Sequence, residues 1–197
     1  MMNRRSFIGG LAGALVLSGQ GSDKNIKDAL HELLGGPQLG TALPAYPLTT
    51  FNKKELGVLT GHFNSITPEN CMKWGNINPS EDKYNFKPTD SLITFAKANN
   101  FKVVGHCLVF NRANCFPNWL VKDGTKSASD KMVWKRMEAY IETVMTRYKK
   151  DIDSWDVVNE YVETHEPFYR KTHLTEILGK DYPVKVFKLA KKICSRQ

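Results

Sequence analysis

Short apolar runs alternate with longer amphipathic stretches along most of the chain. The apolar runs are bounded by Asn, Gly or Pro and contain β-branched and aromatic residues, a combination typical of buried strands. The predicted strands are Leu39–Leu43, Asn64–Thr67, Phe101–Phe110 and Ile152–Asn159. Between and around them, apolar residues recur every three or four positions, which predicts helices. The predicted helices are Ile26–Leu34, Lys53–Phe63, Pro88–Asn99, Ser129 to about Lys150, and Pro183–Ile193.

This alternation of strands and helices predicts an α/β fold with a parallel sheet covered by helices. An open doubly wound sheet and a (β/α)8 TIM barrel share the pattern. No Gly-rich phosphate loop follows a predicted strand, which disfavours the nucleotide-binding open sheet. The polar residues at the strand ends, where barrel enzymes keep their chemistry, are Glu69, Asn70, His106, Asn159 and Glu160. A closed barrel needs about 250 residues, so the 197 residues here predict a partial barrel of about the first four β/α units.

Residues 1–22 have a different character. Arg4 and Arg5 precede a glycine-diluted apolar run, Ile8–Leu17, that is too short to span a membrane. This pattern is typical of a twin-arginine export signal, with a general secretory signal as the alternative export route. A buried helix is the other alternative, but the glycines disfavour it. We therefore expect a signal peptide over residues 1–22, a catalytic-type domain over 23–197, and export to the periplasm or cell exterior with no membrane association after signal removal.

Charge and cysteine content exclude some classes of function. The 28 basic and 20 acidic residues give a net charge of +8, but the lysines are dispersed and no arginine stripe occurs, so nucleic acid is not an expected partner. The cysteines form no C-x-x-C pair and no His lies at zinc-ligand spacing, so neither a metal nor a cofactor is predicted. Export would permit a disulfide between Cys107 and Cys115, and unpaired buried thiols are the alternative.

Glu160 ends the apolar segment WDVVNE (155–160). A carboxyl group beside apolar walls keeps its proton more readily than one in water, so it can act as a general acid toward a leaving oxygen. Glycoside hydrolysis uses such an acid together with a second carboxylate across the scissile bond. Asn159 is a neutral amide suited to a sugar hydroxyl. A surface ion pair, or a cap on the next helix, is the alternative for Glu160.

Several segments resemble, in order and spacing, the N-terminal half of family-10 glycoside hydrolases, the endo-β-1,4-xylanases. These segments are TPENCMKW (67–74), NPSEDKYNF (78–86), GHCLVF (105–110), WDVVNE (155–160) and LGKDYPVKVFKLA (178–190). The resemblance covers nearly all of residues 37–193 and implies a retaining (β/α)8 hydrolase acting on β-1,4-xylan or xylo-oligosaccharides. By resemblance, Glu160 is the catalytic acid/base and Asn159 holds the adjacent sugar.

The same resemblance assigns further substrate-binding residues. Glu69, Asn70 and Lys73 match the E-N-x-x-K set that holds the next xylose on the non-reducing side. Their chemistry suits sugar hydroxyls, because the carboxylate and amide accept hydrogen bonds and the ammonium group donates them. His106 matches the histidine that lines the site of the cleaved sugar.

The chain also departs from the family pattern. Phe110 stands where the family usually has a sugar-facing Trp, and Cys71 stands where Glu is common. Asn111 and Ala113 replace polar residues that are often His and Gln. A phenyl ring offers less stacking area than an indole and no N–H donor, so these changes predict weaker sugar binding near the cleavage point.

The resemblance places the family's nucleophile, a Glu, at the end of strand seven, whereas this chain ends at Gln197 after the fourth helix. Glu69, Glu163 and Glu166 are not placed to substitute for it. We therefore expect a truncated hydrolase with two unpaired sheet edges, whose activity depends on a dimer or a complementing C-terminal half. A non-catalytic xylan-binding or vestigial protein, and a structural fragment without a ligand, are the alternatives.

Overall fold

The fold is built on a parallel four-stranded sheet with the strand order β1-β2-β3-β6. The computed structural model describes residues 29–33 and 37–195, so the predicted signal peptide over residues 1–22 lies outside the described residues. The strands of this sheet are β1 (Gly40–Leu43), β2 (Ser65–Pro68), β3 (Lys102–Phe110) and β6 (Ser154–Asn159). A separate antiparallel hairpin consists of β4 (Lys122–Asp123) and β5 (Lys126–Ser127).

One short helix precedes β1, and further helices lie between successive strands of the parallel sheet and after the last one. They are α1 (Leu30–Leu33), α2 (Pro47–Thr50), α3 (Lys53–His62), α4 (Trp74–Ile77), α5 (Lys87–Ala98), α6 (Asn118–Val121), α7 (Asp130–Arg147), α8 (His173–Leu178) and α9 (Tyr182–Cys194). Capping residues in the sequence account for where two of these helices begin. Ser129 caps α7 by accepting a hydrogen bond from the Met132 amide at 3.3 Å, and Asn52 caps α3 within a capping box closed by Glu55.

The predicted strands and long helices are confirmed to within a few residues. The short helices α2, α4, α6 and α8 and the β4–β5 hairpin were not predicted, because a single helical turn carries too little periodicity to stand out. The predicted start of the first helix at Ile26 and its end at Gly35-Gly36 lie outside the described residues.

The sheet has open edges on both sides, as predicted. Within the described residues, β1 pairs only with β2 and β6 pairs only with β3, all in parallel. The central strand is more deeply buried than the edge strand. The last four residues of central β3, from Cys107 to Phe110, are buried, whereas the residues of β6 from Trp155 to Asn159 are only half-buried.

Aromatic side chains fix the segment that follows β2. Trp74, at the start of α4, is 1% exposed and stacks on Tyr140 of α7 with ring centroids 4.0 Å apart and an interplanar angle of 6°. The buried amide of Asn78 then holds the next turn by donating to the carbonyls of Ser80 at 2.7 Å and Lys83 at 2.9 Å. This anchoring matters because α4 directly follows Lys73 and so sets its position.

The described cysteines are free thiols. The predicted alternative of a Cys107–Cys115 disulfide is therefore not realised in this structure, and Cys107 is a buried, unpaired thiol. No helix within residues 29–33 and 37–195 combines the length and apolarity needed to cross a membrane.

Candidate active site

Most of the predicted site residues follow or end neighbouring parallel strands, but His106 lies inside its strand and not at the strand end that the sequence predicted. Glu69 and Asn70 come directly after β2, His106 lies within β3, and Asn159 and Glu160 stand at the end of β6. Parallel strands present their carboxyl ends at one edge of the sheet, so the topology places these residues at a common edge. The register between β3 and β6 shifts between His106 and Val109, which marks a local irregularity beside the site.

Asn70 and Lys73 form a pre-organised pair. The Nζ atom of Lys73 donates to Oδ1 of Asn70 at 2.8 Å, and the side chain of Asn76 donates to the carbonyl of Asn70 at 2.8 Å. Lys73 Nζ also lies 5.5 Å from the centroid of the Phe110 ring at the end of β3, a cation–π distance. The segment after β2 is thereby fastened to the end of β3.

His106 forms a dyad with Asp156, its register partner on β6. The Nδ1 atom of His106 lies 2.9 Å from Oδ2 of Asp156, and the histidine side chain is 18% exposed. An ionised carboxylate only accepts hydrogen bonds, so this contact assigns the proton to Nδ1 and leaves Nε2 for a ligand. The dyad fixes the orientation of the ring.

Two residues that depart from the family pattern, Phe110 and Asn111, are buried and contact other residues of the site. Phe110 is 6% exposed and packs edge-on against His106 with centroids 6.2 Å apart. Its ring thus contacts both the histidine and Lys73. Asn111 is fully buried; its side chain donates to the carbonyl of Arg170 at 2.9 Å and accepts from the hydroxyl of Thr172 at 2.7 Å.

Glu160 leaves β6 in a left-handed backbone conformation, with φ of 52°. Oε2 of its carboxylate accepts from Nη1 of Arg170, whose Nε donates at 2.5 Å to Oε1 of Glu163. The hydrogen bonds to Glu163 and then to Glu160 raise the pKa of Arg170 above its ordinary value. Arg112 lies farther away, with Nη1 3.9 Å from Glu160 Oε2. The carboxyl group is 37% exposed.

The pKa of the Cys107 thiol depends on its burial and on nearby charges. Burial raises its pKa to about 12, and the negative charge of Asp156 adds to the rise, with Glu160 contributing less. The positive charge of Lys73 acts in the opposite direction. The charges of Lys73, in the segment after β2, and of Glu160, at the end of β6, therefore both affect the pKa of Cys107 in β3.

Glu69 is not brought into this group by any direct contact within the described part of the chain. Its backbone amide donates to the carbonyl of Leu43 at 2.9 Å, and the residue is exposed. It keeps the position at the end of β2 that the sequence predicted.

Sequence analysis missed Arg170 and Asp156, the ionic partners of two predicted residues. Asp156 was visible as the one charged residue inside the apolar run from Trp155 to Val158. Arg170 stands ten positions after Glu160, in a segment rich in His and Glu, and no periodicity links the two. Only the fold of that segment brings them together.

Among the contacts of the described residues, Glu160 is linked to a second carboxylate only through Arg170, which also binds Glu163. Retaining hydrolysis needs two carboxyl groups about 5–5.5 Å apart on either side of the sugar. Glu163 follows on the same segment as Glu160, but the two carboxylates bind the same guanidinium group, so Arg170 bridges them. Within the same residues no three His, Cys, Asp or Glu side chains form a group that could hold a metal ion.

Comparison with known proteins gives this arrangement a family. The sequence profile of glycosyl hydrolase family 10 matches residues 26–196. Endo-1,4-beta-xylanase A of Caldicellulosiruptor saccharolyticus is 37% identical over 157 residues, which is 79% of this chain and 44% of that protein. Endo-1,4-beta-xylanase B of Paenibacillus barcinonensis is 40% identical over 131 residues, or 66% of this chain and 39% of that protein.

Solved structures agree with the sequence relatives. An endo-1,4-beta-xylanase from Caldicellulosiruptor owensensis matches 85% of this chain and 50% of its own, with a TM-score of 0.77 and 35% identity. Xylanase XynB from Paenibacillus barcinonensis, solved with a conduramine derivative, matches 87% of this chain and 50% of its own, with a TM-score of 0.77 and 34% identity. The chain thus spans about half the length of these relatives, and its four-stranded parallel sheet with helices corresponds to part of a (β/α)8 barrel. The chain belongs to glycosyl hydrolase family 10.

Proposed function

We propose that this chain supplies the acid/base side of a retaining endo-β-1,4-xylanase site. Glu160 protonates the leaving oxygen and then activates water, while a second carboxylate from another polypeptide segment forms the glycosyl-enzyme intermediate. Asn159, His106, Asn70, Lys73 and Glu69 bind the xylose residues. The observation that carries this proposal is the position of Glu160 at the end of β6, next to the edge that also holds the Asn70–Lys73 pair and the His106–Asp156 dyad.

The hydrogen-bonding groups at this edge suit xylan. Lys73 donates hydrogen bonds, the Asn70 amide donates and accepts them, and Nε2 of His106 accepts one from a hydroxyl group. Asp156 and Asn70 already hold His106 and Lys73 in place, so little side-chain freedom is lost when a sugar binds. The xylanase names of the relatives agree with this substrate class.

We propose that the partner is a polypeptide equivalent to the C-terminal half of these xylanases. Relatives twice as long fit the same fold over half of their length, and β1 and β6 each leave one edge free within the described residues. A groove of about 350 Å³ beside β6 is lined by Trp155, Val157 and Phe187. A second groove beside β1 is lined by Leu43 and Val58. Each groove lies where an added strand and its helix would bury apolar surface.

Complementation tests the proposed function. The mature chain is mixed with the separately produced C-terminal half of the Paenibacillus barcinonensis xylanase and assayed on 4-nitrophenyl β-xylobioside. We expect turnover by the complex and its loss in Glu160→Ala. Turnover by the lone chain that survives Glu160→Ala would refute the assignment. Size-exclusion chromatography with light scattering separates a complex of the two halves from a dimer of this chain, which would contradict the proposed partner.

A non-catalytic xylan-binding protein is the second candidate. Arg170 already engages both Glu160 and Glu163, whereas the Asn70–Lys73 pair is intact. Calorimetry with xylobiose checks this candidate. If the lone chain binds xylobiose, Lys73→Met abolishes this binding and complementation fails, the binder is favoured. If calorimetry shows no heat and complementation gives no turnover, an inert fragment is favoured.

We also propose that residues 1–22 direct export and that the domain begins at residue 23. The paired arginines and the short apolar run support a twin-arginine signal, and the family match starts at residue 26, just after the proposed boundary. Cell fractionation of the wild-type chain and of an Arg4→Lys, Arg5→Lys variant tests this. Equal distribution of the two proteins would contradict a twin-arginine signal.

A further inference from the structure

Glu160 is held by a hydrogen-bond network that starts at Asn111, a residue without an assigned role. Asn111 follows β3 and is fully buried. Its backbone amide donates to the carbonyl of Asn159 at 2.9 Å, immediately before Glu160. Its side-chain amide donates to the carbonyl of Arg170 at 2.9 Å. One buried residue therefore joins the end of β3, the end of β6 and the segment that carries Arg170.

The segment from Tyr161 to Arg170 folds back on itself, which returns Arg170 to the end of β6. The amide of Arg170 donates to the carbonyl of Tyr161 at 2.8 Å, and the amide of Glu163 donates to the carbonyl of Phe168 at 3.1 Å. Thr172 then closes the far end, because its hydroxyl donates to Oδ1 of Asn111 at 2.7 Å and its amide donates to the hydroxyl of Thr175 at 2.8 Å. The backbone on both sides of Arg170 is thus fixed.

The Arg170 side chain bridges two carboxylates. Nη1 donates to Glu160 and Nε donates to Glu163, while the Arg170 side chain is 28% exposed. A planar guanidinium group held at two positions restricts the rotation of a carboxylate more than a single ammonium ion would. Only Oε2 of Glu160 takes part, and within the described part of the chain Oε1 makes no hydrogen bond. The oxygen that would carry the transferred proton is therefore left available.

We propose that Asn111 and Arg170 are positioning residues for Glu160: the Asn111 network orients the Arg170 segment, and Arg170 fixes the rotamer of the Glu160 carboxyl group toward the scissile oxygen. This inference rests on the proposed acid/base role of Glu160. Arg170 acts through Glu160 and not on the sugar. Because a small misplacement of a catalytic group lowers the rate of its proton transfer, the effect of losing Arg170 depends on how much the substrate needs an acid.

Leaving-group dependence provides the kinetic test in the complemented complex. Phenyl β-xylobioside needs protonation of its leaving oxygen, whereas 2,4-dinitrophenyl β-xylobioside does not. We expect Arg170→Met to lower kcat/KM by about 10–100-fold on the phenyl substrate and by less than about threefold on the dinitrophenyl substrate. Arg170→Lys should recover only part of this loss. An equal loss on both substrates would show a merely structural role and overturn the proposal.

Arg112 provides the matched control. Its guanidinium group also lies near Glu160, but at 3.9 Å and with 60% of the side chain exposed, too far for a hydrogen bond. Arg112→Met should change kcat/KM by less than about threefold on either substrate, because an exposed pair without a hydrogen bond fixes no geometry. If Arg112→Met and Arg170→Met behave alike, general charge and not positioning explains the effect.

A measurement on the lone chain separates failure of this inference from failure of the proposed function. Three-bond couplings report the χ1 rotamer of Glu160 by NMR. We expect one rotamer in the wild-type chain and averaged couplings in Arg170→Met and in Asn111→Asp, which keeps the acceptor for Thr172 but loses the donor to Arg170. Unchanged couplings in Arg170→Met would overturn the inference even if the complex is active. If the complex is inactive, the proposed function fails and the couplings alone decide whether Arg170 positions Glu160.

Discussion

The indole ring of Trp155 lies directly over Gly105, its register partner on the neighbouring strand. A β-carbon at Gly105 would come within 2.6 Å of Cζ3 and 2.8 Å of Cδ2 of the ring. No real side chain tolerates such distances, and the obstacle is a rigid ring and not the end of a flexible side chain. The absence of a side chain at Gly105 is therefore what lets β6 pair with β3 one step before His106.

We expect Gly105→Ala to lower the free energy of unfolding by about 1–3 kcal/mol, because Trp155 must move out of its place between the strands. Urea unfolding followed by tryptophan fluorescence measures the change. Gly57→Ala in α3 is the control, since no atom lies within 4 Å of the added carbon; it should raise stability by about 0.5–1 kcal/mol. A neutral Gly105→Ala variant would contradict the observed packing.

The hydroxyl group of Tyr140 is buried beneath the site without a hydrogen-bond partner among the described residues. Burial raises the pKa of this phenol well above its ordinary value. We expect Tyr140→Phe to leave stability unchanged or raise it by up to about 1 kcal/mol, because the ring stays and an unsatisfied polar atom is removed. Tyr148→Phe is the contrast, since its hydroxyl donates to Asp90 at 2.8 Å, and its loss should cost about 1 kcal/mol. Thermal unfolding measures both variants, and Tyr148→Phe should unfold at a lower temperature than Tyr140→Phe.

Cys107 should be unreactive in the folded chain. It is 1% exposed, and burial followed by the charge of Asp156 raises the pKa of its thiol to about 12. At pH 8 we expect iodoacetamide to modify exposed Cys194 and to spare Cys107 until the chain is unfolded. Because the folded state holds this proton more tightly, its contribution to stability is present below pH 9.0 and is lost as pH rises toward about 12. Mass spectrometry of labelled peptides checks the pattern, and a Cys107–Cys115 disulfide would contradict it.

The bidentate pair between Glu81 and Arg136 should affect stability in acid. Arg136 donates to both carboxylate oxygens at 2.8 Å, and these hydrogen bonds lower the pKa of Glu81 below its ordinary value. The stabilisation is therefore present above pH 4.5 and is lost as pH falls through the lowered pKa. After allowance for solvent screening, we expect Glu81→Gln to cost less than about 1 kcal/mol at pH 7 and less at pH 2 than at pH 7. Urea unfolding at both pH values measures this, with Glu166→Gln as the exposed control; an equal cost at both would rule out the ionic origin.

The local sequence determined which elements form and where the chemical groups stand along the chain. The β-branched run at Val103-Val104 specifies a strand, Ser129 specifies the start of α7, and WDVVNE specifies an apolar strand that ends in an amide and a carboxylate. These features depend on neighbouring residues, and neighbouring residues are visible in a sequence. The positions of Glu69 after β2, His106 within β3 and Glu160 after β6 follow from the same local pattern.

Tertiary structure alone decided which groups surround Glu160. Arg170 is ten positions away and binds Glu160 only because the chain folds back after β6. Asn111 follows β3 and reaches Asn159, next to Glu160, only because β3 lies beside β6. Likewise, the sequence shows Phe110 as an aromatic residue near the site, but its contact with Lys73 depends on the packing of the segment after β2 against the end of β3. Short-range preferences set elements and their order, whereas ion pairs and burial depend on distances through space that sequence spacing does not contain.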